Sequence, residues 1–253
     1  MPTKQSHYKG IADCFTPDNG DGNDEKNKME SGILLLDKPS GWTSHDAVAL
    51  IRKKLGVRRI GHAGTLDPAA TGLLVLLVGT ATKKQAEFQK AAKVYGGVIR
   101  FGAETDTWDA AGKIISEKPV PPISSQDIDA MLSELTGEIT QPVPAYCAVK
   151  FHGVPMYALA RRGAPLPENV RKVVSIHGWR DIIWQSPELS FRVECSGGTY
   201  IRSIAQVLGQ KAGCGAHLKT LRRLAAGDFS VDGALSAEAA KEMSKEEIQS
   251  RVI

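Results

Sequence analysis

The feature that most constrains this chain is a tight turn that feeds directly into a buried strand. Gly61-His62-Ala63-Gly64-Thr65-Leu66-Asp67 runs into Pro68-Ala69-Ala70-Thr71-Gly72, and then into Leu73-Leu74-Val75-Leu76-Leu77-Val78. Three glycines and a proline rule out a regular helix or strand around Asp67 and predict a turned loop. The six apolar residues that follow read as a buried strand. A carboxylate is therefore fixed at the edge of a core strand, and what it faces decides what the protein does. Asp67-Pro68 alone would be an ordinary turn. Motifs further along the chain give it a chemical meaning.

Ile33-Leu34-Leu35-Leu36 predicts a first strand, which ends in the turn cluster Asp37-Lys38-Pro39-Ser40-Gly41. Thr43 or Ser44 caps a helix to about Leu55, with Ala47, Val48 and Ile51 on its apolar side. Thr80 to Ala92 predicts a helix and Lys93 to Phe101 a strand. Ser124 or Ser125 caps a helix whose Ile128, Met131, Leu132 and Leu135 recur at helical spacing. Leu189, Phe191, Val193 and Cys195 alternate with polar residues, the pattern of a half-buried strand. Ser196-Gly197-Gly198-Thr199 then turns into a helix carrying Ile201, Ile204, Ala205 and Leu208. Strands and helices intersperse without a regular βαβ rhythm, which predicts an α+β fold with a mixed sheet.

Composition narrows the class of function. At 253 residues and 42% hydrophobic, the chain can bury a real core. No apolar stretch nears the roughly 18 to 20 residues that span a bilayer, and the N-terminus has no hydrophobic signal core. The expected location is the cytoplasm. Cys14, Cys147, Cys195 and Cys214 are scattered, with no pattern suited to a disulfide framework or a zinc site. There is no G-x-G-x-x-G or Walker sequence to suggest a nucleotide cofactor. The net charge of +4 is uneven, because residues 1–31 hold four lysines against six acids. That acidic, apolar-poor segment is expected to be disordered, and the basic remainder, 32–253, suits a polyanionic partner.

Four elements recur as candidates for chemistry: Asp67; Tyr95 in Lys93-Val94-Tyr95; Tyr200 and Arg202 behind the double glycine; and Leu221 in Lys219-Thr220-Leu221-Arg222-Arg223-Leu224. With the surrounding motifs they form an ordered set. It runs through Gly32 to Ser44, Gly61 to Gly72, Gly79 to Lys83, and Lys93 to Gly112 with its Thr-Asp-Thr-x-Asp-x-x-Gly ending. It continues through Pro144 to Gly153 and Gly198 to Leu224. In this order the chain resembles the TruB-type tRNA pseudouridine-55 synthase family. The resemblance implies a pseudouridine-synthase-like α+β fold, with a mixed, largely antiparallel central sheet flanked by helices and loops. It also implies isomerisation of a T-loop uridine, the glycosidic bond moving from N1 to C5, with no metal or cofactor.

By that resemblance Asp67 matches the essential aspartate, Arg202 the arginine paired with it, and Tyr95 the tyrosine that stacks on the base. His62 matches the histidine near the extruded base, and Tyr200 and Leu221 match pocket positions. Lys83, Lys38 and Asp109 match further motif positions. The chemistry asks for these residue types independently. Unstacking a base costs roughly a few kcal/mol, and an aromatic face returns on the order of 1 to 3 kcal/mol. A carboxylate in a partly dry pocket is pushed towards its neutral form, and a planar guanidinium opposes that. Asp67 would act as nucleophile or as base at the ribose.

A second signal lies in residues 144–172. Lys150, Arg161, Arg162, Arg171 and Lys172 face only Glu168, with Tyr146, Phe151, His152 and Tyr157 interleaved. Cations among aromatics suit a lobe that grips folded RNA. In the resembling family this region is mobile and closes on the T arm of tRNA. Family members usually continue into a small RNA-binding domain of the PUA kind; here about 25 residues follow Asp228, too few for one. Ala237 to Arg251 reads as a surface helix, and Gly96-Gly97 after Tyr95 suggests a looser strand start. The expected partner is tRNA, bound by a monomer without guide RNA. An isomerase of another stem-loop RNA and an RNA chaperone with little catalysis are the competing readings.

Overall fold

In the computed structural model, residues 31–165, 167 and 170–253 are described. The acidic segment expected to be disordered lies, apart from Ser31, outside them. The strands are β1 (Gly32–Lys38), β2 (Ile60–His62), β3 (Thr71–Val78), β4 (Lys93–Phe101), β5 (Ala103–Thr105), β6 (Ile114–Glu117) and β7 (Gly137–Pro142). They continue as β8 (Lys150–Phe151), β9 (Val154–Pro155), β10 (Arg171–Gln185), β11 (Glu188–Cys195), β12 (Ala216–Ala226), β13 (Phe229–Ser230) and β14 (Leu235–Ser236). The helices are α1 (Ser44–Leu55), α2 (Gln85–Lys90), α3 (Ser125–Glu134), α4 (Met156–Arg161), α5 (Ile201–Lys211), α6 (Ala237–Glu242) and α7 (Lys245–Gln249).

One sheet organises the molecule, in the order β14-β1-β3-β12-β4-β11-β10-β7, with β2 on β3 and β13 on β12. Among the described strands of this sheet only β1–β14 and β3–β12 pair in parallel, so the sheet is mixed and largely antiparallel, as expected. Strand β3 explains its own unbroken apolar run. Leu74, Leu76 and Val78 pack with Leu34, Leu36 and the Ala47-Val48-Ile51-Leu55 face of α1. Leu73, Val75 and Leu77 point the other way, onto Ile33, Ala63, Ala226 and Phe229. Both faces are covered, so alternation has no reason to appear. A third, larger core joins β4, β11 and β12 to α3 and α5 through Ile99, Phe101, Ile128, Leu132, Ile204 and Leu208.

Helix starts follow local chemistry. Thr43 and Asp46 form a capping box before α1, and Ser124 and Asp127 form one before α3. Gly56, at φ +70°, ends α1.

Three expectations are corrected. The helix expected over 80–92 is a 3₁₀ turn, Gly79–Lys84, followed by the short α2. Thr82 Oγ1 donates to the Gly79 carbonyl at 2.8 Å and competes with the helical ladder. At the other end the Lys93 ammonium takes the carbonyls of Phe88, Gln89 and Ala91. Ala237 to Arg251 is not one surface helix but two, because Ser244 caps a new start, with Ala237, Ala240 and Ile248 buried. Gly96 and Gly97 do not loosen β4. They pair in register with Arg192 and Phe191 on one side and with Arg222 and Leu221 on the other. A Cβ on Gly97 would meet the Thr220 carbonyl and the Phe191 ring, so the glycine lets three strands close.

Candidate active site

The Asp67 loop is held from three distant segments. Ser44, the first residue of α1, accepts the Leu66 N–H at 2.9 Å and donates to the Leu66 carbonyl at 3.2 Å. Lys38, at the end of β1, is 0% exposed and donates to the carbonyls of Pro39 (2.8 Å), Trp42 (2.7 Å) and Pro68 (3.3 Å). Burial pushes its ammonium down to about 8, against the pull of Asp67. Arg223, on β12, is 1% exposed and donates from Nε to the Leu73 carbonyl (2.6 Å) and from Nη2 to the Gly64 carbonyl (3.1 Å). Gly72 sits at φ +99°, where a Cβ would collide with the Arg223 backbone. Such buried cations are tolerated because backbone acceptors surround them.

Arg202 comes from the first turn of α5. Its Nε lies 3.0 Å from Asp67 Oδ2, and its Nη2 donates to Asp67 Oδ1 at 3.2 Å, a bidentate pair. Its Nη1 donates to the Thr107 carbonyl at 3.0 Å and its Nη2 also to the Tyr146 carbonyl at 2.9 Å. Asp109 Oδ2 stands 3.7 Å from the same Nε, and its other oxygen, Oδ1, accepts from Thr107 Oγ1 (2.6 Å) and the Ala111 N–H (3.0 Å), which orient the carboxylate. The guanidinium is thus committed to protein acceptors, and its work is to fix and charge-balance Asp67. The Asp67 side chain keeps 37% of its exposure, against 5% for Arg202. Burial nevertheless moves the Asp67 carboxyl above its ordinary value, with Arg202 the largest opposing influence and Asp109 adding to the rise. The expected rescue of the ionised form by Arg202 is therefore partial: desolvation outweighs the one cation, which a second carboxylate shares.

Asp67 opens into a cavity of about 410 Å³, whose walls include Leu66, Tyr95, Tyr200, Leu221 and Lys172. That volume is in the range of small-ligand sites. Tyr95, on β4, is 8% exposed; burial pushes its phenol up, with the Arg223 cation opposing the rise. Tyr200 caps α5, and burial and the neighbouring Cys147 push its phenol up as well. Leu221 presents from β12.

The structure brings Asp67, Arg202, Tyr95, Tyr200 and Leu221 together, with Asp109 behind Arg202. Three expected substrate contacts stand elsewhere. Lys38 is not open to substrate, since its ammonium is spent on carbonyls. Lys83 is exposed on the 3₁₀ turn and does not line the cavity. His62, on β2, is half-buried, faces His45 edge-on at 6.4 Å, and is outside the cavity wall. Burial pushes its imidazole down, and its Nδ1 has no partner among the described residues.

The basic lobe exposes Lys150, Arg161, Arg162, Arg171 and Lys172, and of these only Lys172 lines the cavity. Arg161 lies over the Tyr157 ring at 5.5 Å. A small core of Val143, Cys147 and Met156, packed against Val170 and Tyr200, attaches the lobe to the site.

Three polar residues escaped sequence reading. Ser44 was visible only as a possible helix cap. Lys93 passed as a strand start. Arg223 had a usable signal: in a strand it falls two residues after Leu221, on the same face, but the Lys219–Leu224 run does not announce a strand. Among the described residues no three His, Cys, Asp or Glu side chains stand together so as to hold a metal ion, and no helix is long and apolar enough to cross a membrane.

Known proteins share both the sequence and the fold. The model of the TruB family pseudouridylate synthase N-terminal domain matches residues 52–201. The tRNA pseudouridine synthase B of Opitutus terrae is 43% identical over 226 residues, covering 89% of this chain and 93% of that protein. The tRNA pseudouridine synthase B of Endomicrobium trichonymphae is 47% identical over 204 residues, covering 81% and 88%. Among solved structures, a Cbf5-Nop10-Gar1 complex superposes with a TM-score of 0.63 at 27% identity, over 82% of this chain. The chain spans about half (52%) of the length of that solved chain. With the family model matching more than half of its residues, the chain belongs to the TruB family of pseudouridylate synthases.

Proposed function

We propose that this protein isomerises a uridine in the T loop of tRNA, position 55 by family, to pseudouridine, and that Asp67 is the reacting group. The observation that carries the reading is the Asp67–Arg202 pair at the floor of a cavity with an aromatic wall. The base is flipped into the cavity and stacks on Tyr95. Asp67 acts at the ribose as nucleophile or base, while Arg202 keeps the carboxylate oriented. The C1′–N1 bond breaks, C1′–C5 forms, the C5 proton leaves and N1 gains one. Tyr200 and Leu221 bound the base, and the lobe at 144–172 grips the T arm through phosphate contacts and stacking. The protein acts in the cytoplasm as a monomer, without guide RNA. Membership of the family and the names of its relatives support the substrate class.

The test is release of tritium from a T-arm stem-loop carrying 5-tritiated uridine. Release is expected with the wild-type protein and not with Asp67→Asn. Silence from the wild type would remove the reading.

A further inference from the structure

Five cations reach the cavity wall: Lys90, Lys93, Lys172, Arg202 and Arg223. Their side chains are not equivalent. Arg202 is committed to Asp67 and two carbonyls, Arg223 to the carbonyls of Gly64 and Leu73. Lys93 gives its three donors to the carbonyls that end α2. Lys90 and Lys172 differ. Both are exposed; Lys90 has no hydrogen bond or ion pair among the described residues, and Lys172 uses one donor, to the Gly198 carbonyl at 3.2 Å. An ammonium has three donors, so each keeps donors free at the cavity mouth.

The double glycine brings the end of α2, which carries Lys90, close to the Lys172 ammonium. A Cβ on Gly197 would collide with the backbone of Gln89 and Lys90, and a Cβ on Gly198 would collide with Lys172 Nζ. Consecutive Cα atoms are only about 3.8 Å apart, so the end of α2 and the Lys172 ammonium both crowd one bare peptide. The result is a polarised cavity. Its one carboxylate is paired with the buried Arg202, Arg223 is buried against backbone carbonyls, and the two exposed ammoniums of Lys90 and Lys172 carry unpaired donors. A neutral base needs no such charges. A nucleotide within RNA carries its charge close to the ribose, on the phosphodiesters at its 5′ and 3′ oxygens.

We propose that Lys90 and Lys172 form a phosphate clamp that takes one of the two backbone phosphates flanking the flipped uridine, so that the ribose lies over Asp67. The inference rests on the uridine-isomerase reading and adds a positioning contact that acts through the RNA backbone.

A coupling experiment tests it. Single-turnover tritium release is measured for the stem-loop with natural linkages and with a neutral methylphosphonate on the 5′ or the 3′ side of the target uridine. The proteins are wild type, Lys90→Gln, Lys172→Gln and Lys150→Gln. At one of the two linkages the neutral group is expected to slow the wild type roughly tenfold to hundredfold, as befits loss of a charged hydrogen bond. Lys172→Gln should slow the natural RNA by a similar factor, and the two changes together should cost no more than either alone. Lys90→Gln should show the same coupling with smaller size. Lys150→Gln, in the lobe but not at the cavity, should slow all three RNAs by one common factor. Penalties that multiply at both linkages overturn the clamp. A wild type inactive on natural RNA removes the isomerase reading itself, an outcome visible in the first arm. All three lysines are exposed, and unchanged melting temperatures tie the effects to RNA.

Discussion

The loop around Asp67 and the lobe at 144–172 face the same cavity and are built on opposite principles. The loop is short, glycine-rich and held by buried polar side chains: Ser44, Lys38 and Arg223 bond its backbone, and Arg202 fixes its carboxylate. The lobe packs on a small core of Val143, Cys147 and Met156 and shows water Phe151 at 38% and Tyr157 at 41% exposure. Its cations stay exposed, whereas those of the loop are spent on carbonyls. Stability is unevenly spread in folded proteins, and segments with few buried apolar contacts open at least cost. The contrast assigns the loop to geometry and the lobe to capture. Damage to the loop should therefore appear in kcat, and damage to the lobe away from the cavity wall, where Lys172 stands, in KM and salt dependence.

The largest effect should come from the loop. Asp67→Asn preserves shape and one acceptor oxygen for Arg202 while removing the reacting charge, and tritium release should fall by a factor on the order of 10⁴ or more. A drop of less than tenfold would mean that the carboxylate is not the reacting group. The pH dependence follows from the direction of its shift. Burial raises the Asp67 carboxyl, with Arg202 opposing. Activity needs the ionised form, so the acid limb of kcat/KM should lie above the ordinary carboxylate value of about 4. For stability, a group whose folded pKa is raised contributes fully below its unfolded value and loses that contribution as pH rises through the folded value. The stability of Asp67→Asn relative to wild type should accordingly improve with rising pH across that window. Urea unfolding of both proteins at a series of pH values checks the sign.

Next in size is the removal of a clamp. Lys38→Met leaves the carbonyls of Pro39, Trp42 and Pro68 without the ammonium that now reaches all three. Gly41 N–H still donates to Pro68 at 2.8 Å, so part of the set survives. The expected cost is about 2 to 4 kcal/mol in urea unfolding, with kcat down roughly tenfold to hundredfold from a loosened loop and KM for RNA little changed. Unchanged kcat in a folded variant would show that Asp67 does not depend on this anchor. A change confined to KM would assign Lys38 to substrate binding after all, against its burial.

The same contrast governs how much could be read from sequence. The strand β3, the capping boxes of α1 and α3, and the alternation in β11 are local signals, and the sequence carries them plainly. The association of Asp67 with Arg202 was legible only because whole motifs recur in a family order; the pair is 135 residues apart. The clamps were not legible as clamps. A buried lysine looks, in sequence, like a surface lysine, and only the fold reveals that three carbonyls converge on Lys38. Arg223 was hidden for a different reason: β12 carries charged residues on a strand paired on both sides, so its polar run reads as surface. The lobe was readable as basic and aromatic, yet β10 was not, because its Val173 and Ile183 are exposed and blur the alternation.

The smallest effect, and the one most specific to the lobe, concerns Arg161 and Arg162. Both are exposed on or just after α4, and Arg161 is held over Tyr157 at 5.5 Å. Reversing both charges should leave the fold and the cavity intact, because both arginines are exposed and neither lines the cavity. If the lobe captures RNA by its phosphates, Arg161→Glu with Arg162→Glu should raise KM for a T-arm stem-loop about tenfold, with kcat within about twofold. The slope of log affinity against log salt should fall by about one for each phosphate that is no longer neutralised. Because cations at the cavity rim and in the lobe both add to that slope, the residual slope measures what the rim and the remaining lobe cations, Lys150 and Arg171, contribute together. A variant that lost kcat while keeping KM and the salt slope would erase the division between the two regions, since the lobe would then be setting geometry. Equal salt slopes with a raised KM would keep the division but assign the lobe's grip to stacking by Phe151 and Tyr157 rather than to charge.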